Sequence, residues 1–315
     1  MANILLAIVG WDPKGWEQRF HALAPRHDIR VWPDRVGDPA AIHYACVWNP
    51  PPGLLAGFPN LKAIFSLGAG ADELVADPKL PDVPVVRIVD PDLTMRMTEY
   101  VVLHVLMHHR RQRLYDAQQR ERMWRDHDQP AANEVAVGIM GLGVLGSTAA
   151  SALQRLGFNV AGWSRTPKSI AGIECYSGAA GLEPFLRRTE ILVCLLPATP
   201  ATRGIINRNL MRKLKADGAL RGAFLINAGR GALQVDADII AAVDDGTLSG
   251  ATLDVFATEP LLAESPLWAH PKVTITPHNA AQSAPQTLVI NVLRQIDRLE
   301  QGAPLENVVD RKVGY

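Results

Sequence analysis

The sequence predicts an α/β protein of two domains built on doubly wound parallel sheets, and three observations predict it. At 315 residues the chain exceeds the size at which a single hydrophobic core stops growing, so two cores are expected. Short apolar runs alternate with helical or Pro/Gly-rich stretches along the chain, the rhythm of parallel strands joined by crossover helices. Near the middle a glycine-rich turn, Gly141-Leu142-Gly143-Val144-Leu145-Gly146, links an apolar run to a helical one.

The elements follow in order. Apolar runs at 4–9, 28–32, 44–48, 63–66 and 85–88 read as strands of a first parallel layout. A long helix is expected from about 98 to 125, apolar at first (Val101, Val102, Leu103, Val105, Leu106) and basic later (Arg110, Arg111, Arg113, Arg120, Arg122, Arg125). A second α/β unit begins at Glu134, with a strand at 135–140, a helix at 147–156 and strands at 159–163 and 191–196. Runs at 223–227, 250–255 and 273–276 continue the pattern. The last helix, 286–301, carries Leu288, Val289, Val292, Leu293, Ile296 and Leu299 at one-face spacing.

Composition narrows the function classes. Lys plus Arg balance Asp plus Glu at 32 each, and the formal net charge is zero. That removes the electrostatic case for nucleic acid or an anionic membrane surface as main partner. Cys46, Cys175 and Cys194 are scattered and match no zinc or redox spacing, which suits reduced, mostly buried thiols in a cytoplasmic protein and predicts no metal. The apolar start lacks a positive leader and runs into Trp11-Asp12-Pro13-Lys14, so it reads as a strand rather than a signal peptide. No apolar run approaches the roughly 18 residues of a membrane span.

The turn at 141–146 satisfies G-x-G-x-x-G in the strand-to-helix setting that gives this pattern meaning. The first glycine permits the tight turn, the second lets backbone approach a pyrophosphate, and the third lets helix and strand pack closely. The helix N-terminus then offers unpaired N–H groups to phosphate. The end of the next strand, where an acid usually holds the ribose of NAD, reads Trp163-Ser164-Arg165-Thr166-Pro167-Lys168. Ser164, Arg165, Thr166 and Lys168 suit a 2′-phosphate, so the expected cofactor is NADPH/NADP.

Three polar residues follow strand-like runs late in the chain: Arg230 in Asn227-Ala228-Gly229-Arg230-Gly231, Glu259 before Pro260, and His278 in Thr276-Pro277-His278-Asn279. A guanidinium, a carboxylate and an imidazole in one cleft would serve an anion-binding site with a proton donor.

With these motifs the chain resembles the D-isomer-specific 2-hydroxyacid dehydrogenases, and within them the glyoxylate/hydroxypyruvate reductase A group. The resemblance rests on Val47-Trp48-Asn49-Pro50-Pro51, Leu67-Gly68-Ala69-Gly70-Ala71-Asp72, the glycine turn and Trp163-Ser164-Arg165-Thr166. It continues through Leu195-Leu196-Pro197, Asn227 to Gly231, Leu253-Asp254-Val255-Phe256, Glu259-Pro260, Ser265-Pro266-Leu267-Trp268 and Thr276-Pro277-His278. It implies two Rossmann-like domains: a discontinuous, flavodoxin-like substrate domain (1–97 and 286–315) and an inserted NADP-binding domain (98–285). It implies a homodimer and NADPH-dependent reduction of small 2-keto acids, glyoxylate to glycolate and hydroxypyruvate to D-glycerate. His278 would be the acid, Glu259 its orienting partner and Arg230 the carboxylate anchor. Trp48 and the turn Leu67, Gly68, Ala69, Gly70 would contact substrate. Gly141 to Gly146, Ser164 to Thr166, Lys168, Leu196, Pro197, Ala228, Gly229, Arg230, Asp254 and His278 would contact cofactor. Asn279 departs from the small or apolar residue that close relatives tend to carry. Reduction of a larger 2-keto acid, or dinucleotide sensing without catalysis, are the alternatives.

Other features carry less. His108 and His109 are adjacent and so point to different helix faces, a poor ligand pair. The arginines after them read as a solvated face or a dimer arm, and Trp124 as a dimer contact or a core residue.

Overall fold

A computed structural model describes residues 2–311 and 314. The chain divides into two compact units, 1–93 with 282–315, and 94–281. The junctions lie four residues before those expected at 97/98 and 285/286.

The first unit holds a five-stranded parallel sheet of β1 (Asn3–Ile8), β2 (Asp28–Val31), β3 (Tyr44–Trp48), β4 (Ala63–Ser66) and β5 (Val85–Arg87), in the order β2-β1-β3-β4-β5. Helices α1 (Lys14–Leu23) and α2 (Asp72–Val75) follow β1 and β4. The strands are nearly continuous apolar runs because both faces are covered. Ile4, Leu6, Tyr44, Cys46 and Phe65 pack on one face with Leu288, Val292 and Ile296, and Leu5, Ala7, Ala45, Val47 and Ile64 pack on the other. The order reverses direction between β1 and β3, a switch point where the crossovers leave opposite faces and open a crevice at the strand ends.

The second unit begins within α3 (Pro91–His109), which α4 (Gln112–Arg120) follows. Its sheet comprises β6 (Ala136–Met140), β7 (Asn159–Ser164), β8 (Glu174–Ser177), β9 (Ile191–Cys194), β10 (Phe224–Asn227), β11 (Gly250–Leu253) and β12 (Val273–Ile275). Their order is β12-β11-β10-β9-β6-β7-β8, and every pairing is parallel. Helices α5 (Val144–Arg155), α6 (Gly178–Arg188), α7 (Arg208–Met211) and α8 (Asp236–Asp244) belong to this unit, and α9 (Pro285–Glu300) returns to the first. One face of the sheet buries Phe185, Leu192, Leu225, Ile239 and Leu253. The other buries Val101, Val137, Ile139, Leu153 and Val193.

Several expectations are corrected. The helix expected over 98–125 is two helices, and it starts earlier, at Pro91. The break falls where Arg111 takes φ +53°, a left-handed conformation that a helix cannot propagate. Helix α5 begins at Val144 rather than 147, directly on the glycine turn. Strand β8 was not expected, because its four residues Glu174–Ser177 form an edge strand without an apolar run. Arg113 is no solvated charge: its Nε and Nη2 donate to the Pro271 carbonyl and its Nη1 to Thr274 Oγ1. Trp124 is fully exposed, so it is not a core residue of this chain. His108 Nε2 bonds Thr252 Oγ1 at 3.0 Å, whereas His109 sets its ring against Phe158. Burial pushes the His108 pKa down to about 3, which keeps that ring neutral. No helix among the described residues is long and apolar enough to cross a membrane.

Candidate active site

Because all strands of the second sheet are parallel, the loops after their C-terminal ends lie along one edge. The spatial order of the strands therefore orders the motifs. Ser164 ends β7 and residues 165–168 follow it; the glycine turn follows β6, Leu195-Leu196-Pro197 β9, Ala228-Gly229-Arg230 β10, Asp254 and Glu259 β11, and His278 β12. Strands β10, β11 and β12 are neighbours, so the last three loops start within about 10 Å of one another. The direction of the order reverses between β6 and β9, which places the glycine turn at the switch point.

Each turn there has a sequence cause. Gly141 adopts φ +113° and its N–H donates to the Trp163 carbonyl at 2.8 Å. A Cβ on Gly146 would lie 1.8 Å from the Gly141 carbonyl oxygen, so helix α5 can approach only with glycine there. A Cβ on Gly143 would meet nothing within 4 Å, the space a pyrophosphate group would take. Helix α5 has no side-chain cap and no acidic residue in its first turn, so its N-terminus suits an anion. Ser164 Oγ donates to the Thr166 carbonyl at 2.7 Å and shapes the turn after β7, while Arg165, Thr166 and Lys168 are exposed. These residues fit a phosphorylated dinucleotide.

The Arg230 turn is fastened from below. Asn227, fully buried, accepts from the Gly229 N–H through Oδ1 (3.1 Å) and donates through Nδ2 to Gln234 Oε1 (2.7 Å) and the Arg230 carbonyl (3.2 Å). A Cβ on Gly231 would stand 1.9 Å from the Phe256 carbonyl carbon. The turns after β10 and β11 thus pack backbone to backbone, which brings Arg230 beside Glu259.

Glu259 Oε1 accepts the Phe256 N–H at 2.9 Å, and Oε2 lies 2.6 Å from His278 Nδ1. Burial pushes the Glu259 carboxyl up, but the His278 bond, the Phe256 N–H and the Arg230 charge outweigh it and leave it lowered. The carboxylate is ionised, so Nδ1 carries the proton. The Glu259 bond raises His278, against opposing effects of burial and Arg230. Both side chains are about one-third exposed, at 35% and 37%.

A buried acid holds the histidine turn. Asp254 is 1% exposed; its Oδ1 accepts the Asn279 N–H (3.0 Å) and the Thr276 hydroxyl (2.6 Å), and its Oδ2 accepts the Ala280 N–H (3.1 Å). The His278 N–H donates to the Asp254 carbonyl at 2.8 Å. This cradle sustains His278 at φ +50°, an uncommon conformation for a non-glycine residue. Thr276 spends its single proton on Asp254, so the Tyr100 hydroxyl, 2.7 Å away, must donate to Thr276. Tyr100 and Thr276 were not foreseen as site residues; Thr276 stood in the quoted Thr-Pro-His, but Tyr100 lies far away in sequence and carried no signal.

In the first unit, Trp48 ends β3, and Leu67, Gly68, Ala69 and Gly70 follow β4. Ser66 Oγ donates to the Gly70 carbonyl at 2.8 Å and closes that turn. Trp48 stacks on Trp11. No group of three metal-ligating side chains is found among the described residues.

Comparison with known proteins gives a consistent result. Residues 102–280 match the model of the D-isomer specific 2-hydroxyacid dehydrogenase NAD binding domain. A glyoxylate/hydroxypyruvate reductase A of Yersinia enterocolitica is 39% identical over 319 residues, spanning 99% of this chain and 100% of its own. One from Escherichia fergusonii is 42% identical with the same coverage. Among solved structures, an NADPH-dependent glyoxylate/hydroxypyruvate reductase of Sinorhizobium meliloti, in complex with NADP and sulfate, superposes with a TM-score of 0.96 at 46% identity over 100% of both chains. A D-isomer specific 2-hydroxyacid dehydrogenase of Xanthobacter autotrophicus, in complex with NADPH and MES, gives 0.94 at 42% identity, covering 100% of this chain and 99% of that one. The chain belongs to the D-isomer specific 2-hydroxyacid dehydrogenase family.

Proposed function

We propose that this chain is an NADPH-dependent reductase of small 2-keto acids, taking glyoxylate to glycolate and hydroxypyruvate to D-glycerate. The observation that carries the reading is the order of groups along one sheet edge. Cations and a hydroxyl at 164–168, the glycine turn, then Arg230, Glu259 and His278 follow one another as a 2′-phosphate, a pyrophosphate and a reacting acid would.

Bound NADPH supplies the hydride. Arg230 binds the carboxylate and carbonyl oxygens of the acid, orienting it and drawing charge toward the oxygen that becomes the hydroxyl. His278 Nε2 gives that oxygen its proton. Glu259 holds Nδ1–H, fixes the ring and favours the imidazolium that can donate. Asp254 aims the ring by holding the Asn279 and Ala280 N–H groups after it and the Thr276 hydroxyl before it, and its loop would hold the nicotinamide end of bound cofactor. Leu196, Pro197, Ala228 and Gly229 would line that same stretch. In the first unit, Trp48 and the turn 67–70 would favour acids of two or three carbons, as the resemblance implies. A cytoplasmic homodimer is the matching state, and the mass of the purified protein in solution tests the dimer.

Two consequences are measurable. Glu259→Gln leaves a hydrogen-bonding group but no charge to stabilise imidazolium. The basic limb of the kcat/KM profile for reduction is expected to move to lower pH, with a loss of about tenfold at neutral pH. An unmoved limb would remove Glu259 from this role. Arg165→Ala should weaken NADPH by about 10–100-fold, the value of hydrogen bonds to a charged group, and leave NADH almost unchanged. Equal losses for both cofactors would contradict the 2′-phosphate assignment. The reading as a whole is tested by mixing purified protein and NADPH with a panel of 2-keto acids and following cofactor absorbance. Turnover fastest with glyoxylate and hydroxypyruvate is expected; oxidation with none of the acids would point to a sensor instead.

A further inference from the structure

The loop after β1 carries a tryptophan that the functions assigned so far leave unused. Trp11 follows β1 and Trp48 ends β3, the two strands that flank the switch point of the first sheet. Crevices at such points, beyond the C-terminal strand ends, are where open α/β sheets take ligands. The two indoles stack there, with ring centroids 4.2 Å apart and planes 17° from parallel. Trp16, on α1, lies nearly parallel to Trp11 at 6.4 Å and is only 3% exposed, so the stack is rooted in the core. Trp11 and Trp48 are half-buried.

The Trp48 indole is held at its edge as well as on its face. A Cβ built on Gly68 would lie 2.3 Å from Trp48 Cζ3 and 3.1 Å from Cε3. Any side chain at 68 would displace the ring, so the benzo edge rests directly on the turn that follows β4. With its face on Trp11 and its edge on Gly68, the indole has little freedom to swing aside for a longer acid. Interiors packed in this way respond to lost volume by moving the neighbour that loses its support.

We propose that Trp11 is a positioning residue for substrate selection: it backs Trp48, so that the Trp48 indole acts as a fixed wall against acids with longer side chains. The inference rests on the reductase reading above and deepens it. Trp11 makes no contact with the reacting atoms in this account; it acts through Trp48. Its removal should therefore change which acid is accepted more than how fast a correctly seated small acid reacts.

The test compares kcat and KM for glyoxylate and for 2-oxohexanoate in the full-length wild type, Trp11→Ala, Trp11→Leu and Trp11→Phe, with melting temperature and NADPH affinity measured alongside. In Trp11→Ala the preference for glyoxylate over 2-oxohexanoate, as the ratio of kcat/KM values, should fall roughly tenfold, the scale on which a pocket distinguishes a few methylenes. Most of that change should appear in KM, with NADPH affinity retained. Trp11→Phe should restore much of the preference because it restores a ring face. Trp11→Leu, which keeps apolar volume without a ring, carries the same expectation as Ala if the Ala variant does not fold. An unchanged preference in Trp11→Ala or Trp11→Leu overturns the proposal. So does an equal loss for both acids accompanied by a lower melting temperature, which would make Trp11 a stability residue only. A wild type that reduces neither acid would instead overturn the reductase reading, and this inference with it.

Discussion

Replacing His278 by alanine is expected to lower kcat for glyoxylate reduction by about 10²–10⁴-fold, the usual contribution of a positioned general acid. NADPH affinity should change little, because the glycine turn and the residues after β7 stand on other strands. The size of the loss follows from the geometry. Nδ1 is committed to Glu259 at 2.6 Å, which leaves Nε2 as the one ring nitrogen to serve the substrate, and the partner carboxylate raises the proportion of imidazolium. Alanine at φ +50° also loses the tolerance for a left-handed backbone that histidine and asparagine share. His278→Asn is therefore the companion variant: it keeps the turn more easily and still lacks the acid. Both variants should show the same loss of turnover. Turnover near that of the wild type in either would exclude His278 as the proton donor.

Arg230→Ala is expected to cost about 10²–10³-fold in kcat/KM, the range measured when one donor to a developing oxyanion is removed. Two effects combine in this residue: a planar fork that matches a carboxylate, and a charge beside the carbonyl. Arg230→Lys tests the first separately, since it keeps the charge and loses the fork. It should recover only part of the activity. The buried Asn227–Gln234 bond and the Gly231–Phe256 packing fix the turn independently of the guanidinium, so melting temperature should move little. Full activity in Arg230→Lys would show that the fork is not needed.

Much of the site was legible because its parts follow strands, and strands announce themselves as apolar runs. Once the second sheet is parallel, residues after the apolar runs at 223–227, 250–255 and 273–276 must share an edge, so Arg230, Glu259 and His278 could be grouped from the sequence. The glycine turn was legible for a similar reason: the close approach at Gly146 admits no other residue. What stayed hidden depends on contacts between distant segments. Tyr100 reaches Thr276 across 176 positions, and neither residue alone suggests a part-buried hydroxyl chain beneath a histidine. Trp11 read only as the start of the segment that follows a first strand, because stacking on Trp48 requires the order β1 next to β3. The break at Arg111 was hidden as well. It lies in a run of helix-forming residues, and only the left-handed backbone ends the helix.

The most direct measurement of the central claim, that a Glu259-supported imidazolium at His278 protonates the product, is the pH dependence of kcat/KM for glyoxylate reduction with NADPH saturating. The account predicts a rate that is full at lower pH and falls as pH rises through an apparent pKa above that of an ordinary histidine. A rate that is flat across this range, or that rises with pH, would contradict it.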